Sequence, residues 1–201
     1  MVNMKGLILD TTIKKGYVAA FDGEREAVCY LDTALSTQSA LIPACHAALN
    51  RLDMTVSDFD GVAAVVGPGS FTGIRIGVTF GNALAYARAL PRFAFSSFDL
   101  MNAVRPTAPA FSIEAGHGSY YAAFREGNGL FERNADAPEL PTGTVDQSEI
   151  MAELPRGALL VARRAFENRA FSVCAPTFET DLLRPNYMRK SQAERLKDEK
   201  K

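Results

Sequence analysis

The chain opens with short apolar runs separated by turn signals. Leu7-Ile8-Leu9 closes on the polar Asp10-Thr11-Thr12. Lys14-Lys15-Gly16 reads as a turn, Tyr17 to Phe21 as a second strand, Asp22-Gly23 as a hairpin and Ala27 to Leu31 as a third strand. This predicts an antiparallel meander. From Ser36 to Leu52 the period lengthens, with Leu41, Ala44 or Cys45, Ala48 and Leu52 at helical spacing. Pro43 should mark either the first turn of that helix or a kink. Gly61 to Val66 is unbroken apolar sequence, as suits a strand buried on both faces. A glycine-rich turn, Gly67-Pro68-Gly69-Ser70-Phe71-Thr72-Gly73, then opens a helix that runs to about Ala89 and is stopped by Pro91. Phe93 to Phe95 is a short strand, and Ser97 a cap for a short helix, Phe98 to Val104. The order predicts an α/β lobe, a mixed sheet with helices against it, over residues 1–105.

Arg105-Pro106-Thr107-Ala108-Pro109 reads as a linker. A smaller lobe follows over residues 106–188, and a charged tail over 189–201. In that lobe Ala110–Ala115 and Tyr120–Glu126 read as strands around Gly116-His117-Gly118, and Gly127-Asn128-Gly129 as a turn. Residues 133–145 read as loop, and Asp146 with Glu149 as a capping box. Ala158–Ala162 and Phe171–Cys174 are further strand candidates.

Composition changes this picture little. Of 201 residues, 47% are hydrophobic and 22% charged, with a net charge of −1, so no global field points to nucleic acid or an anionic membrane. No apolar run approaches the roughly 20 residues of a membrane span, and the first residues lack a signal peptide's pattern. The three cysteines, Cys29, Cys45 and Cys174, form no C-x-x-C pair, which fits a reducing cytoplasm. The tail carries a small positive excess that could brush RNA phosphates or simply be solvated.

The glycine-rich turn is the strongest chemical signal. Such a turn presents N–H groups at the positive end of a helix dipole, and Ser70 or Thr72 can cap it. Both an anion cradle and a purely structural turn fit that spacing. The lysine of a Walker loop is missing, since Ile74-Arg75 follows Gly73, and the setting is not that of a Rossmann unit. Candidate anion- or nucleotide-binding residues are Asp10, Thr11, Thr12, Gly69, Ser70, Phe71, Thr72, Gly73 and Arg75. Gly73, Gly77, Gly81, Ala85 and Ala89 then recur every four residues along the helix. Each helical glycine costs up to about 1 kcal/mol relative to alanine, so the stripe implies close approach of another backbone. That backbone belongs either to the chain's own sheet or first helix, or to another subunit. On the second reading the partner-interface residues are Gly73, Ile74, Gly77, Gly81 and Ala85, with Leu41, Ala44, Cys45 and Ala48 on the first helix. Leucine at Gly77 or Gly81 should then block pairing and leave the monomer folded.

No metal site is expected. His46 and His117, the only histidines, lack ligands at useful spacing. Cys45 beside His46 is adjacency rather than triad geometry, Ser70 has no His/Asp partnership, and Glu114 at a strand end reads as solvated.

At Gly67 to Gly77 the sequence GPGSFTGIRIG resembles the signature of the TsaB (YeaZ) family. Leu9-Asp10-Thr11-Thr12 is similar to that family's opening, and Asp10-Thr11-Thr12 before a Lys-Gly turn resembles the first phosphate loop of actin-like ATPases. Thr37-Gln38 with Leu41-Ile42-Pro43, Phe95-Ser96-Ser97-Phe98 and Pro185-Asn186-Tyr187-Met188-Arg189 resemble further family elements. Thr37 stands where the family usually has histidine. Glu114, Gly116 and Ser119 stand where it has Asp, Arg and Glu.

The resemblance implies an actin-like ATPase (ASKHA, ribonuclease H-like) fold with a smaller, degenerate second lobe and no catalysis of its own. It implies a cytoplasmic accessory subunit in the synthesis of threonylcarbamoyladenosine beside the tRNA anticodon. Such a subunit binds and activates a TsaD-like catalytic subunit through helices of the N-terminal lobe and supports a TsaE-like ATPase. It also forms homodimers through overlapping surfaces, and meets tRNA only through the complex. No cofactor is required, with ATP or ADP placed at the complex interface. The alternatives are an ATP-binding or ATP-hydrolysing enzyme of the same fold and, far behind, a peptidase.

Overall fold

The structure is a computed structural model that describes residues 4–116, 118–124, 127–132, 137–168 and 182–187. The opening meander forms as β1 (Lys5–Asp10), β2 (Tyr17–Asp22) and β3 (Arg25–Tyr30), each antiparallel to the next. β4 (Gly61–Gly67) pairs parallel with β1, and β5 (Arg92–Ser96) pairs parallel with β4. A parallel pair needs a crossover. The helix α1 (Thr37–Asn50) lies on the crossover into β4, and α2 (Phe71–Arg88) on that into β5. The strand order β3-β2-β1-β4-β5, with this mix of directions, is the ribonuclease H-like arrangement of actin-like ATPases.

Side chains alternate across this sheet. Leu7, Leu9, Val18, Ala20, Ala64 and Val66 face α1 and α2. Ile8, Ala19, Phe21, Ala63 and Val65 face the other way, into a second buried cluster. That cluster also holds Phe111 and Ile113 of β6 (Ala110–Gly116) and the inner side of α4 (Leu154–Asn168). β6 joins β7 (Ser119–Phe124), β8 (Gly127–Glu132) and β9 (Val145–Asp146) in a sheet of order β8-β7-β6-β9. The expected linker at Arg105–Pro109 therefore separates two sheets that share one core.

Several boundaries differ from expectation. Ala158–Ala162 lies inside α4 and is not a strand. A window of five residues read as an apolar run, whereas Leu154, Ala158, Ala162, Ala165 and Phe166 form one buried helical face. Gly127-Asn128-Gly129 lies in β8, paired with Ala122 to Phe124, rather than in a turn. The cap of α3 (Ser97–Val104) is Ser96, whose hydroxyl accepts from Asp99 N at 3.0 Å in a full capping box. Pro43 sits in the interior of α1, on an exposed side. The capping box at Asp146 and Glu149 is present and opens a 3-10 turn. The strand expected at Phe171–Cys174, His117 and the tail 189–201 lie outside the described residues.

α4 seats its largest side chain in a hollow. Gly6 and Gly61 are register partners on β1 and β4, and a Cβ on either would stand 2.9 Å from the ring of Phe166. Phe93 stacks on that ring at 4.2 Å, and Phe21 meets it edge-on at 5.2 Å. Among the described residues, no helix is long and apolar enough to cross a membrane.

Candidate partner-binding face and the closed glycine turn

The end of β1 and the turn after β4 grip each other. Ser70 N donates to Thr12 O at 2.7 Å, and Thr11 Oγ1 donates to Gly73 O at 2.6 Å. Ser70 caps α2, its hydroxyl accepting from Gly73 N at 3.1 Å. Ser97, next to the cap of α3, donates to Pro68 O at 2.7 Å. A Cβ at Gly69 would lie 2.6 Å from Thr12 O, and one at Gly73 would run into Thr11 O. The turn is glycine-rich because the β1 end passes against it.

Asp10 is buried, and its Oδ1 accepts from Thr12 N at 2.9 Å and from Thr12 Oγ1 at 2.7 Å. Burial pushes its carboxyl above the usual range, against the lowering by the Thr12 bonds. Thr11 and Thr12 are buried too. The candidate anion cradle is filled by the chain's own groups. Asp10, Thr11, Thr12, Gly69, Ser70 and Gly73 pack onto one another, and Ser70 N and Gly73 N already have protein acceptors. Thr72 is exposed, and Phe71 and Arg75 belong to a different contact described below.

The glycine stripe meets this chain's own residues, the first of the two readings of its spacing. Gly73 and Gly77 face Thr11, and Gly81 faces Leu183, Leu9 and Ala64. Ile74, Ala85, Leu41, Ala44, Cys45 and Ala48 are all core residues of the same cluster. Burial, with the neighbouring Cys29 thiol, pushes the Cys45 thiol up to about 12, so it stays protonated. Four-residue spacing marked a packed face correctly, but that face packs inside the chain. Leucine at Gly77 would strike Thr11 Oγ1 before it could affect any partner.

The opposite sides of the same helices are left open. On α1 these carry Ile42, Pro43, His46 and Ala47, with Ile42 52% exposed. On α2 they carry Thr72, Thr79, Ala83, Tyr86 and Ala87, flanked by half-buried Ile76 and Phe80. The two helices touch and cover the same side of the sheet. α1 has no charged residue, and α2 has only Arg75 and Arg88. Surface helices normally carry charges on the solvent side, and charges are depleted at interface centres.

A segment that the motif reading had not placed closes one flank of α2. Leu183 is buried beside Gly81. Its N donates to Asn82 Oδ1 at 2.9 Å, and its O accepts from Asn82 Nδ2 at 3.0 Å. Asn186 N donates to Val66 O at 2.8 Å. Arg75 Nε donates to Tyr187 Oη at 2.9 Å, and the Tyr187 ring packs 4.7 Å from that of Phe71. Asn82, a lone amide on the flank of a glycine-striped helix, was the available sequence signal.

Of the remaining candidates, Glu114 stands apart from this face and His46 lies on it. Glu114 Oε1 accepts from Gly116 N at 3.1 Å on an exposed strand end. His46 is exposed on α1. Among the described residues, no three of His, Cys, Asp or Glu gather to hold a metal. A small cleft of about 140 Å³ lies between the β1–β2 turn and the start of α1, lined by Ile13, Lys14, Leu31, Leu35 and Thr37 among others.

Residues 32–137, just over half of the chain, match the family described as TsaD, tRNA N6-adenosine threonylcarbamoyltransferase. The chain is 31% identical over 141 residues to the Bacillus subtilis tRNA threonylcarbamoyladenosine biosynthesis protein TsaB, covering 68% of this chain and 59% of that protein. A tRNA N6-adenosine threonylcarbamoyltransferase of Caldicellulosiruptor bescii is 36% identical over 52 residues, 26% of this chain and 16% of that one. Among solved structures, YeaZ from Pseudomonas aeruginosa superposes with a TM-score of 0.63 at 22% identity, covering 82% of this chain and 93% of that one. A second Pseudomonas aeruginosa protein, described as uncharacterised with similarity to peptidase YeaZ, gives 0.70 at 20% identity, covering 92% and 100%. The two structural likenesses show a shared fold. The sequence matches and the motifs at both ends of the described chain agree with them: the chain belongs to the TsaD–TsaB (YeaZ) family.

Proposed function

We propose that this chain is an accessory subunit in the synthesis of threonylcarbamoyladenosine on tRNA, acting by binding a TsaD-like catalytic subunit and holding it active. The observation that carries this reading is the outer side of α1 and α2, which carries Ile42 on α1 and Phe80 and Ala83 on α2 and has no acidic residue. A helical face of that composition suits burial against another helical face. The isolated chain can pair with itself through the same surface, so homodimer and complex compete. tRNA is reached through the catalytic subunit, and a TsaE-like ATPase joins the assembled pair. Any ATP or ADP belongs at the junction between subunits, because Asp10–Thr12 and Gly69–Gly73 fill each other's space within the chain.

The test is affinity for the family's catalytic subunit, with Ile42→Glu and Ala83→Glu as interface variants. Each should weaken binding about tenfold or more, as expected for a charge forced into a buried apolar contact, with an unchanged melting curve. Unchanged affinity in both variants would remove this face from the reading. Micromolar ATP binding by the chain alone, seen by calorimetry, would favour a nucleotide enzyme instead.

A further inference from the structure

Leu182–Tyr187 belongs to neither sheet and to no helix, yet it is anchored at both ends. The Asn82 side chain imitates a strand rung, taking the N–H and the carbonyl of Leu183 together. The Leu183 side chain fills the space left by Gly81. Asn186 N extends the end of β4 by one bond to Val66 O. Tyr187 holds Arg75, whose guanidinium lies 4.2 Å from the Phe71 ring centroid and 5.7 Å from that of Tyr187. Between these anchors Arg184 is exposed. Every anchor is on α2 or on the β4 end that leads to it.

We propose that Leu182–Tyr187 is a detachable strap whose docked state completes the partner-binding face of α2. This rests on the reading of that face as the contact with the catalytic subunit. Docked, the strap fixes the Arg75 rotamer and sets the Tyr187 ring beside Phe71 and Arg75 at the rim of a surface without acidic residues. Tyr and Arg are the residue types that concentrate binding energy at interfaces. Undocked, it uncovers the side of α2 at Gly81 and Asn82 and frees Arg75 to move. Few anchors hold the six residues, so local release is within reach without unfolding the sheet. Docking and partner binding are then linked, each favouring the other by the same factor.

The test uses hydrogen exchange and partner affinity on the full chain. Asn82→Ala removes both bonds to Leu183. It should speed exchange at the Leu183 and Asn186 amides about tenfold, leaving the β1 and β4 interior amides protected. Affinity for the catalytic subunit should fall about fivefold or more. Tyr187→Ala, at an exposed position, should lower that affinity even if Asn82→Ala folds poorly. Saturating catalytic subunit should slow exchange at both strap amides in the native chain. A strap released by Asn82→Ala with unchanged affinity would overturn the proposal, as would native strap exchange that ignores the partner. A native chain that fails to bind the catalytic subunit would overturn the face and the strap together. Native binding that is indifferent to the strap would overturn the strap alone.

Discussion

α2 and α4 cover opposite sides of one sheet by opposite means. α2 brings its own backbone close, with Gly73 and Gly77 against Thr11 and Gly81 against Leu183. α4 brings bulk, and there the sheet supplies the room, with Gly6 and Gly61 beneath Phe166. Their solvent sides differ as well. α4 carries Arg156, Arg163, Arg164 and Glu167. Arg163 reaches back to Glu24 at 3.4 Å and Glu26 at 3.2 Å on the β2–β3 hairpin. α2 offers alanines, threonines and Tyr86 instead. A helix that carries charges of both signs and ties Arg163 to its own chain is finished as a surface. A helix whose outer side has no acidic residue and only two arginines, one towards each end, is suited to being covered along its middle. Glycine spacing thus located close packing, and charge depletion located the open face.

The comparison breaks first at Gly73. Leucine there would drive its side chain into the Thr11 backbone, and the expected result is a loss of stability of more than about 4 kcal/mol and little folded protein in denaturant titration. A folded Gly73→Leu monomer would return the stripe to the partner reading. On the α4 side, Phe166→Ala should empty the hollow above Gly6 and Gly61 and cost about 3–5 kcal/mol by urea melts. A loss under 1 kcal/mol would mean that α4 is not bound to the sheet through this ring.

A smaller effect is expected from Asp10→Asn, which keeps the acceptor for Thr12 and removes a buried charge. The native carboxyl has a raised pKa, so its stabilising contribution is complete below its unfolded value of about 3.9 and is lost as pH rises through the native value. The native chain should therefore lose stability relative to Asp10→Asn as pH rises from about 4 towards neutrality. Parallel pH curves would show that the charge is not held in a dry site. The smallest change in stability is expected at Ile42→Glu on the open face, within about 0.5 kcal/mol in thermal melts, although its effect on partner affinity is large.

Much of the first sheet was legible because its signals are local. The meander, the Asp22-Gly23 hairpin, the apolar β4 and the Ser70 region each fit within a few residues. α4 was misread because Ala158–Ala162 satisfies a short apolar window, whereas its helical face needs the span from Leu154 to Phe166. The candidate site was half legible. Spacing identified which residues of α2 are packed, but the neighbour at Gly81 is Leu183, far away in sequence. Likewise nothing near Asp10 revealed that Thr11 would fill the glycine turn. The uncharged run of α1 was available throughout and pointed to the side opposite the residues chosen.

The strap also has a consequence for the order in which the molecule assembles. Its bonds to Asn82 and Arg75 span 101 and 112 residues, whereas the strands and helices that form its seat are closed by contacts of shorter span. Loops that long close slowly, and here their closure gains nothing until α2 and β4 exist to receive Leu183 and Asn186. Folding should therefore pass through a species with the sheet and α2 in place and the flank of α2 uncovered. In a chain emerging from the ribosome that species persists until synthesis passes Tyr187. The side of α2 at Gly81 and Asn82 is then uncovered, the natural place for a chaperone to hold this chain or for premature association to begin.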